Sequence, residues 1–142
     1  MNKLTLSILP TSLAVCQFPK DTPIPSYLVK SSFFSITQTE DEFSIVCDQS
    51  VVPADVKKTE DWRAFKVEGP LDFSQVGILS SLAQPLAENQ IPIFVISTYD
   101  TDYLLVQRKY FNESKRVLGG FCILKEWSFS EYESGKFSLE RC

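Results

Sequence analysis

Asp100 and Asp102 stand two residues apart in Ser97-Thr98-Tyr99-Asp100-Thr101-Asp102, between two apolar runs. Such a pair could grip an ammonium group by charge-assisted hydrogen bonds, or hold a divalent cation. Upstream, Leu71-Asp72-Phe73-Ser74-Gln75-Val76-Gly77-Ile78 leads into a stretch of helical periodicity. The start of a helix offers unpaired N–H groups and the positive end of a dipole, which suit a carboxylate. Gly77 puts no side chain between a ligand and that backbone. Asp72 could take a hydroxyl or a ligand side chain. Together these groups could hold an α-amino acid by both charged ends. The residues this chemistry singles out are Asp72, Gly77, Asp100 and Asp102, with Phe73 and Tyr99 beside them. Each also has a plain structural reading. Gly77 could serve close helix–sheet packing, and Asp100 and Asp102 a solvated turn. Asp72 could bond within its own loop, and Phe73 and Tyr99 could be packing residues.

Catalysis has little to work with. The chain has no histidine, which excludes Ser-His-Asp and Cys-His machinery and every His-containing zinc site. It also removes the side chain best suited to proton transfer near neutral pH. No third acidic ligand, phosphate-binding loop or dinucleotide fingerprint accompanies the aspartates. Cys16, Cys47, Cys122 and Cys142 are scattered without a CxxC pair, so free thiols are expected rather than a metal site. The net charge is −4 and no basic cluster appears, which argues against nucleic acid. Lys3 followed by an apolar stretch up to Cys16 superficially resembles a signal peptide. Val15 is too large for the cleavage box, Pro10-Thr11-Ser12 interrupts the apolar core, and Leu4, Leu6 and Ile8 alternate as in a strand. No run approaches the roughly 18 apolar residues of a membrane span. The expectation is a cytoplasmic protein that is not an enzyme, needs no cofactor or metal, and engages neither membrane nor nucleic acid.

The elements that must position the aspartates are legible mainly in the second half. Its 142 residues suit one domain, or two very small ones sharing a core. Residues 3–9 and 12–18 read as strands. Residues 19–26, with three prolines, form a stiff loop, and 27–30 a short helical turn. Ser32–Thr37 and Phe43–Cys47 read as a hairpin with Thr39–Glu42 as its polar tip. Residues 48–61 read as a polar connector. Trp62–Glu68 alternates without a clear polar side, so a strand covered on both faces is expected. Val76, Leu79, Leu82, Ala83, Leu86 and Ala87 recur at helical spacing, with Ser74 as N-cap, Pro85 as an interior break and Asn89 at the end. Ile91–Ser97 is expected as a central strand with Pro92 near its start. Tyr103–Val106 is the next strand, Lys109–Leu118 a second helix ended by Gly119-Gly120, and Phe121–Leu124 a last strand. The order is βαββαβ, a ferredoxin-like α+β arrangement with both helices on one face of the sheet.

The segments GPLDFSQVGIL and IPIFVISTYDTDYLLV resemble the small tandem ACT-domain proteins. They are also similar to the domains of cytosolic arginine sensors and, more distantly, to the regulatory part of aspartate kinases. FFSITQTEDEFSIVC is similar to the N-terminal module of such proteins. The resemblance implies a compact tandem unit: a mostly-β ACT-like module over residues 1–60, an ACT domain over 61–125 and a tail over 126–142. It implies regulatory binding of a small molecule, an amino acid in many members, beside the first strand-to-helix loop, often at an interface. Matched to that loop and the opposing hairpin, the ligand-binding residues it implies are Asp72, Phe73, Val76, Gly77, Ile78, Thr98, Tyr99, Asp100 and Asp102. Many amino-acid-binding members carry Pro-Gly at that turn. Here Gln75-Val76-Gly77 takes its place, so the ligand's identity does not carry over. The alternative is a protein–protein assembly module with no small-molecule ligand. A homodimer is compatible with either reading, and any signal would pass to a separate target protein.

Overall fold

The computed structural model describes residues 3–69 and 77–126. Thr5–Ile8 (β1), Leu13–Phe18 (β2), Phe34–Gln38 (β3) and Phe43–Asp48 (β4) are joined by turns, with a 3-10 segment at Ser26–Lys30. Then come Lys57–Val67 (β5), Ile78–Glu88 (α1), Phe94–Ser97 (β6), Asp102–Gln107 (β7), Phe111–Gly119 (α2) and Ile123–Glu126 (β8). The run from β5 to β8 has the expected βαββαβ order. All eight strands join one sheet, in the order β3-β4-β2-β5-β1-β8, with β7 on the other edge of β5 and β6 outside β7.

The long strand β5 organises the molecule. Its first part pairs antiparallel with β2, and its last part with β1 on the same edge (Ile8 opposite Phe65, Leu6 opposite Val67). The other edge of Trp62–Lys66 carries β7. The start of the chain therefore lies within the ferredoxin-like half. β1 separates β5 from β8 and runs parallel to β8, Thr5 opposite Ile123. The register between β2 and β5 slips by one residue between Leu13 and Val15. Near this slip Asp61 takes φ +64°, held by the Gln49 amide, which accepts from the Asp61 N–H and donates to its carboxylate. A bulge of this kind bends a strand and raises its twist. Here it marks the passage from the β2 side to the β1 side.

Three apolar clusters follow from the alternation of side chains. Leu6, Ile8, Phe65, Val67, Leu104 and Val106 meet Leu82 and Leu86 of α1 and Leu118 of α2. On the opposite face Trp62, Ala64 and Leu105 pack with Leu13 and Val46, joined by Phe94, Ile96 and Tyr103. Ala14, Cys16, Ile45 and Cys47 look the other way, towards Leu28 of the 3-10 segment. β5 is thus covered on both faces, as its unseparated alternation implied.

Three sequence expectations change. Residues 48–61 are not wholly a connector, because β5 starts at Lys57. Its polar start pairs with β2 while its side chains stay mostly exposed. Ile91–Ser97 is not a central strand. Pro92 cannot donate to a ladder, the Ile91 N–H bonds back to Leu86, and only Phe94–Ser97 pairs, with β7 alone. The helix begins at Ile78, with Gly77 rather than Ser74 at the cap position. Pro85 sits within α1, and Asn89 ends it by donating its N–H and side-chain amide to the Pro85 carbonyl.

Candidate functional site

Antiparallel pairing brings the end of β5 and the turn between β6 and β7 to one end of the sheet. β5 and β6 are therefore parallel, and α1 is the crossover between them, which leaves from that same end. Thr101 locks the turn to β5. Its side chain is buried, and its hydroxyl donates to the Val67 carbonyl. The turn closes on itself as well. The Thr98 N–H donates to the Thr101 carbonyl at 2.8 Å, and the Thr98 hydroxyl to the same oxygen at 3.1 Å. Ser97 donates its hydroxyl to the Asp102 carboxylate.

At the helix, Gly77 has φ +83° and ψ 0°, a conformation open to glycine and strained for other residues. It turns the chain into α1, and the Ser81 N–H makes the first helical bond to its carbonyl at 2.9 Å. Among the described residues no side chain caps this helix, and no acidic residue lies in its first turn. The N–H groups of Ile78, Leu79 and Ser80 precede the internal ladder, so this end has the donor character and positive partial charge of a helix start.

The sequence-predicted residues are distributed as follows. Gly77 and Ile78 form the start of α1, with Ile78 partly buried against the main core. Thr98, Tyr99, Asp100 and Asp102 lie on or beside the β6–β7 turn at the same sheet end. Tyr99 is 83% exposed. Asp100 is exposed and Asp102 half-buried, and neither is in an ion pair among the described residues. Asp72, Phe73 and Val76 fall outside the described residues. Thr98 is committed to the turn. Among the described residues no group of histidine, cysteine, aspartate or glutamate could hold a metal ion, and no helix is long and apolar enough to cross a membrane.

Sequence reasoning missed two anchors. Thr101 was legible only as turn composition, because its partner lies on β5. Asp48, 5% exposed, accepts from the Ser32 N–H at 2.7 Å, from the Ser32 hydroxyl at 2.9 Å and from the Thr11 hydroxyl at 3.3 Å. It binds the start of β3 to the turn before β2, and nothing local to Asp48 announces this. Cys16, Cys47 and Cys122 are buried free thiols. Hydrogen bonding between Cys16 and Cys47 lowers the first thiol's pKa and raises the second's. Burial raises that of Cys122.

The ACT-domain model matches residues 57–118, and a separate model of an N-terminal domain matches 11–55. The chain superposes on the crystal structure of a protein from Agobacterium tumefaciens with TM-score 0.83 and 35% identity, covering 90% of this chain and 96% of that one. The chain belongs to the ACT-domain family. The human protein named "Cytosolic arginine sensor for mTORC1 subunit 1" is 37% identical over 93 residues, 60% of this chain. The chain spans about 27% of that sensor's length. The ligand-free regulatory subunit of aspartate kinase from Thermus thermophilus shares the fold at TM-score 0.57 and 10% identity, covering 82% of this chain and 95% of that one. By name, one of these proteins is a sensor and another the regulatory subunit of a kinase.

Proposed function

We propose that this ACT domain protein is a non-catalytic regulator that binds an amino acid where α1 begins and the β6–β7 turn closes. What supports the reading is the crossover topology, which starts α1 behind Gly77 at the sheet end where Asp100 and Asp102 stand. The helix start suits a carboxylate and the aspartates an ammonium. Ile78 would stand on the helix side, with Thr98 and Tyr99 opposite, and Asp72, Phe73 and Val76 are further candidates for contacting the ligand. The ACT-family match and a relative named as an arginine sensor support the class of ligand. Under this proposal residues 1–60 carry the N-terminal module, 61–125 the ACT domain and 126–142 a tail, with the first segment lending β1 to the ACT sheet. The protein works in the cytoplasm, by itself or as a homodimer, and hands its signal to a separate protein.

The test is thermal unfolding against a panel of amino acids, with Asp102→Ala in parallel. Ligand at 100 times its dissociation constant adds about 2.7 kcal/mol. That is a shift of roughly 5–10 °C for a chain of this size. A compound that stabilises the wild type but not the variant supports the reading. A panel without effect on the wild type removes it.

A further inference from the structure

The outer edge of β6, which pairs with no strand among the described residues, opens onto a slot that the amino-acid reading does not use. Its wall is Phe94, Val95, Ile96 and Ser97, four consecutive residues, and its floor is Ser35, Thr37, Ser44 and Val46. The floor residues alternate along β3 and β4, Ser35 facing Val46 and Thr37 facing Ser44. They therefore present one face of that hairpin. Consecutive residues of a strand can line a single cavity only along its edge, because successive side chains point to opposite faces. The cavity measures about 240 Å³. A second hollow of about 480 Å³ continues it over Val15, Gln17, Thr59 and Lys57, sharing Thr37, Ser44 and Phe94.

The ladder's phase identifies the groups at this edge. The Thr98 N–H bonds to the Thr101 carbonyl across the turn. Inward and outward pairs alternate in an antiparallel ladder. With Ile96 opposite Tyr103 and Phe94 opposite Leu105, Ile96 and Phe94 bond to β7. Val95 and Ser97 thus turn their N–H and C=O groups outward, and β6 pairs with no other strand among the described residues.

We propose that this slot receives an extended peptide segment of a partner protein, which adds a strand to β6. Two outward N–H groups and two outward C=O groups, at two-residue spacing, match the backbone of a strand. No charged side chain lines the slot itself, and Glu42, Lys57 and Lys58 line only its continuation, so the segment directly over β6 is uncharged. Its side chains facing Ser35, Thr37 and Ser44 are small or hydroxylated, because the floor hydroxyls call for hydrogen-bond partners and a cavity of about 240 Å³ must also hold the added backbone. The side chains of Phe94 and Ile96 supply an apolar margin continuous with the cluster around Trp62. The proposal does not rest on the amino-acid reading, since no group in it is a candidate for gripping an ammonium or a carboxylate.

The experiment selects linear peptides from a random phage-displayed octamer library on the full chain. Enriched sequences are then titrated as fluorescent peptides by anisotropy. Ser97→Pro removes an outward N–H but no bond to β7, and proline is tolerated at such edge positions. Ser97→Ala removes only the hydroxyl bonded to Asp102. Ser44→Phe fills the floor. The expected result is uncharged peptides with alternating small residues. They bind wild type and Ser97→Ala alike, and at least about tenfold more weakly to Ser97→Pro and Ser44→Phe, one lost hydrogen bond being worth about that factor. Circular dichroism checks that the variants fold. No enrichment, or equal binding to folded Ser97→Pro and Ser44→Phe, would overturn the proposal. So would sedimentation showing a dimer that Ser97→Pro dissolves while no peptide binds, which would assign the slot to a second copy of the chain.

Discussion

Truncating Leu6 or Ile8 should destabilise the whole chain, because β1 is a structural part of the ACT domain that lies outside the matched ACT segment. Leu6 is 0% exposed and Ile8 2%, and both lie in the cluster shared by β5, β7 and the two helices. Leu6→Ala leaves a cavity between elements already fixed by their ladders, so little collapse can offset it. The expected loss is about 3–5 kcal/mol. Ile8→Ala should cost about the same. The two sites share a face and neighbours, so the double variant should fall short of the sum. A chain of this length has a total stability of roughly 7–20 kcal/mol. The double variant should therefore lie at or near unfolding at room temperature. Urea denaturation followed by circular dichroism measures this. Because β5 joins both halves, each single variant should shift one common transition rather than split it in two. The fragment 57–126, which lacks β1, exposes the edge of β5 and of β8 together and should not fold cooperatively. A cooperatively folding fragment, or a loss under about 1 kcal/mol for Leu6→Ala, would refute the reasoning.

Four other outcomes can be checked by the same unfolding measurements. Gly77→Ala should cost about 1–2 kcal/mol from its backbone conformation alone. A Cβ there would meet nothing closer than the Ser80 hydroxyl oxygen at 3.8 Å, so Gly77→Asn should cost less. Thr101→Val should cost about 1–3 kcal/mol, since it strands the Val67 carbonyl. It should also weaken any ligand held by the β6–β7 turn. Asp48→Ala should cost about 3 kcal/mol by orphaning the Ser32 N–H and hydroxyl. Burial raises the Cys122 thiol above its unfolded value. Stability should therefore fall as pH rises past about 8.5, and Cys122→Ala should make that fall shallower.

The half of the fold set by local pattern was legible. Val76 to Ala87 repeats at helical spacing, and α1 follows it from Ile78. Tyr103–Val106 falls within β7, and Gly119-Gly120 ends α2 as read. What escaped depends on partners far along the chain. Leu4, Leu6 and Ile8 announce a strand, but nothing near them says that it will sit between β5 and β8. Asp61 sits at left-handed φ because Gln49 meets its backbone and carboxylate at once, a constraint no window around residue 61 contains. The apolar run Ile91–Ser97 misled for the opposite reason. Its composition suits a strand covered on both sides, and Val95 does pack on one face while Phe94 and Ile96 pack on the other.

The edge position of β6 also follows from burial on both faces. The N-terminal strands turn Leu13 and Val46 towards Trp62 and Leu105, so they cover the face of the ACT sheet opposite its helices. That cover buries Phe94 and Ile96 from below while leaving the backbone of β6 unpaired at its side. An apolar strand at a sheet edge invites unwanted pairing unless it is blocked or shielded. Here the β3–β4 hairpin lies against it and narrows access to a slot. The same arrangement that shields the edge also selects what can reach it: a single extended strand with short side chains fits, and a broad sheet edge does not. A variant that loosens the shield without touching β6, such as Thr37→Pro, which takes a ladder bond from the edge strand β3, should therefore trade selectivity for self-association. Sedimentation velocity of that variant against the wild type would show larger species if the argument holds. A variant that stays folded at the wild-type size would show that the hairpin does not shield the edge.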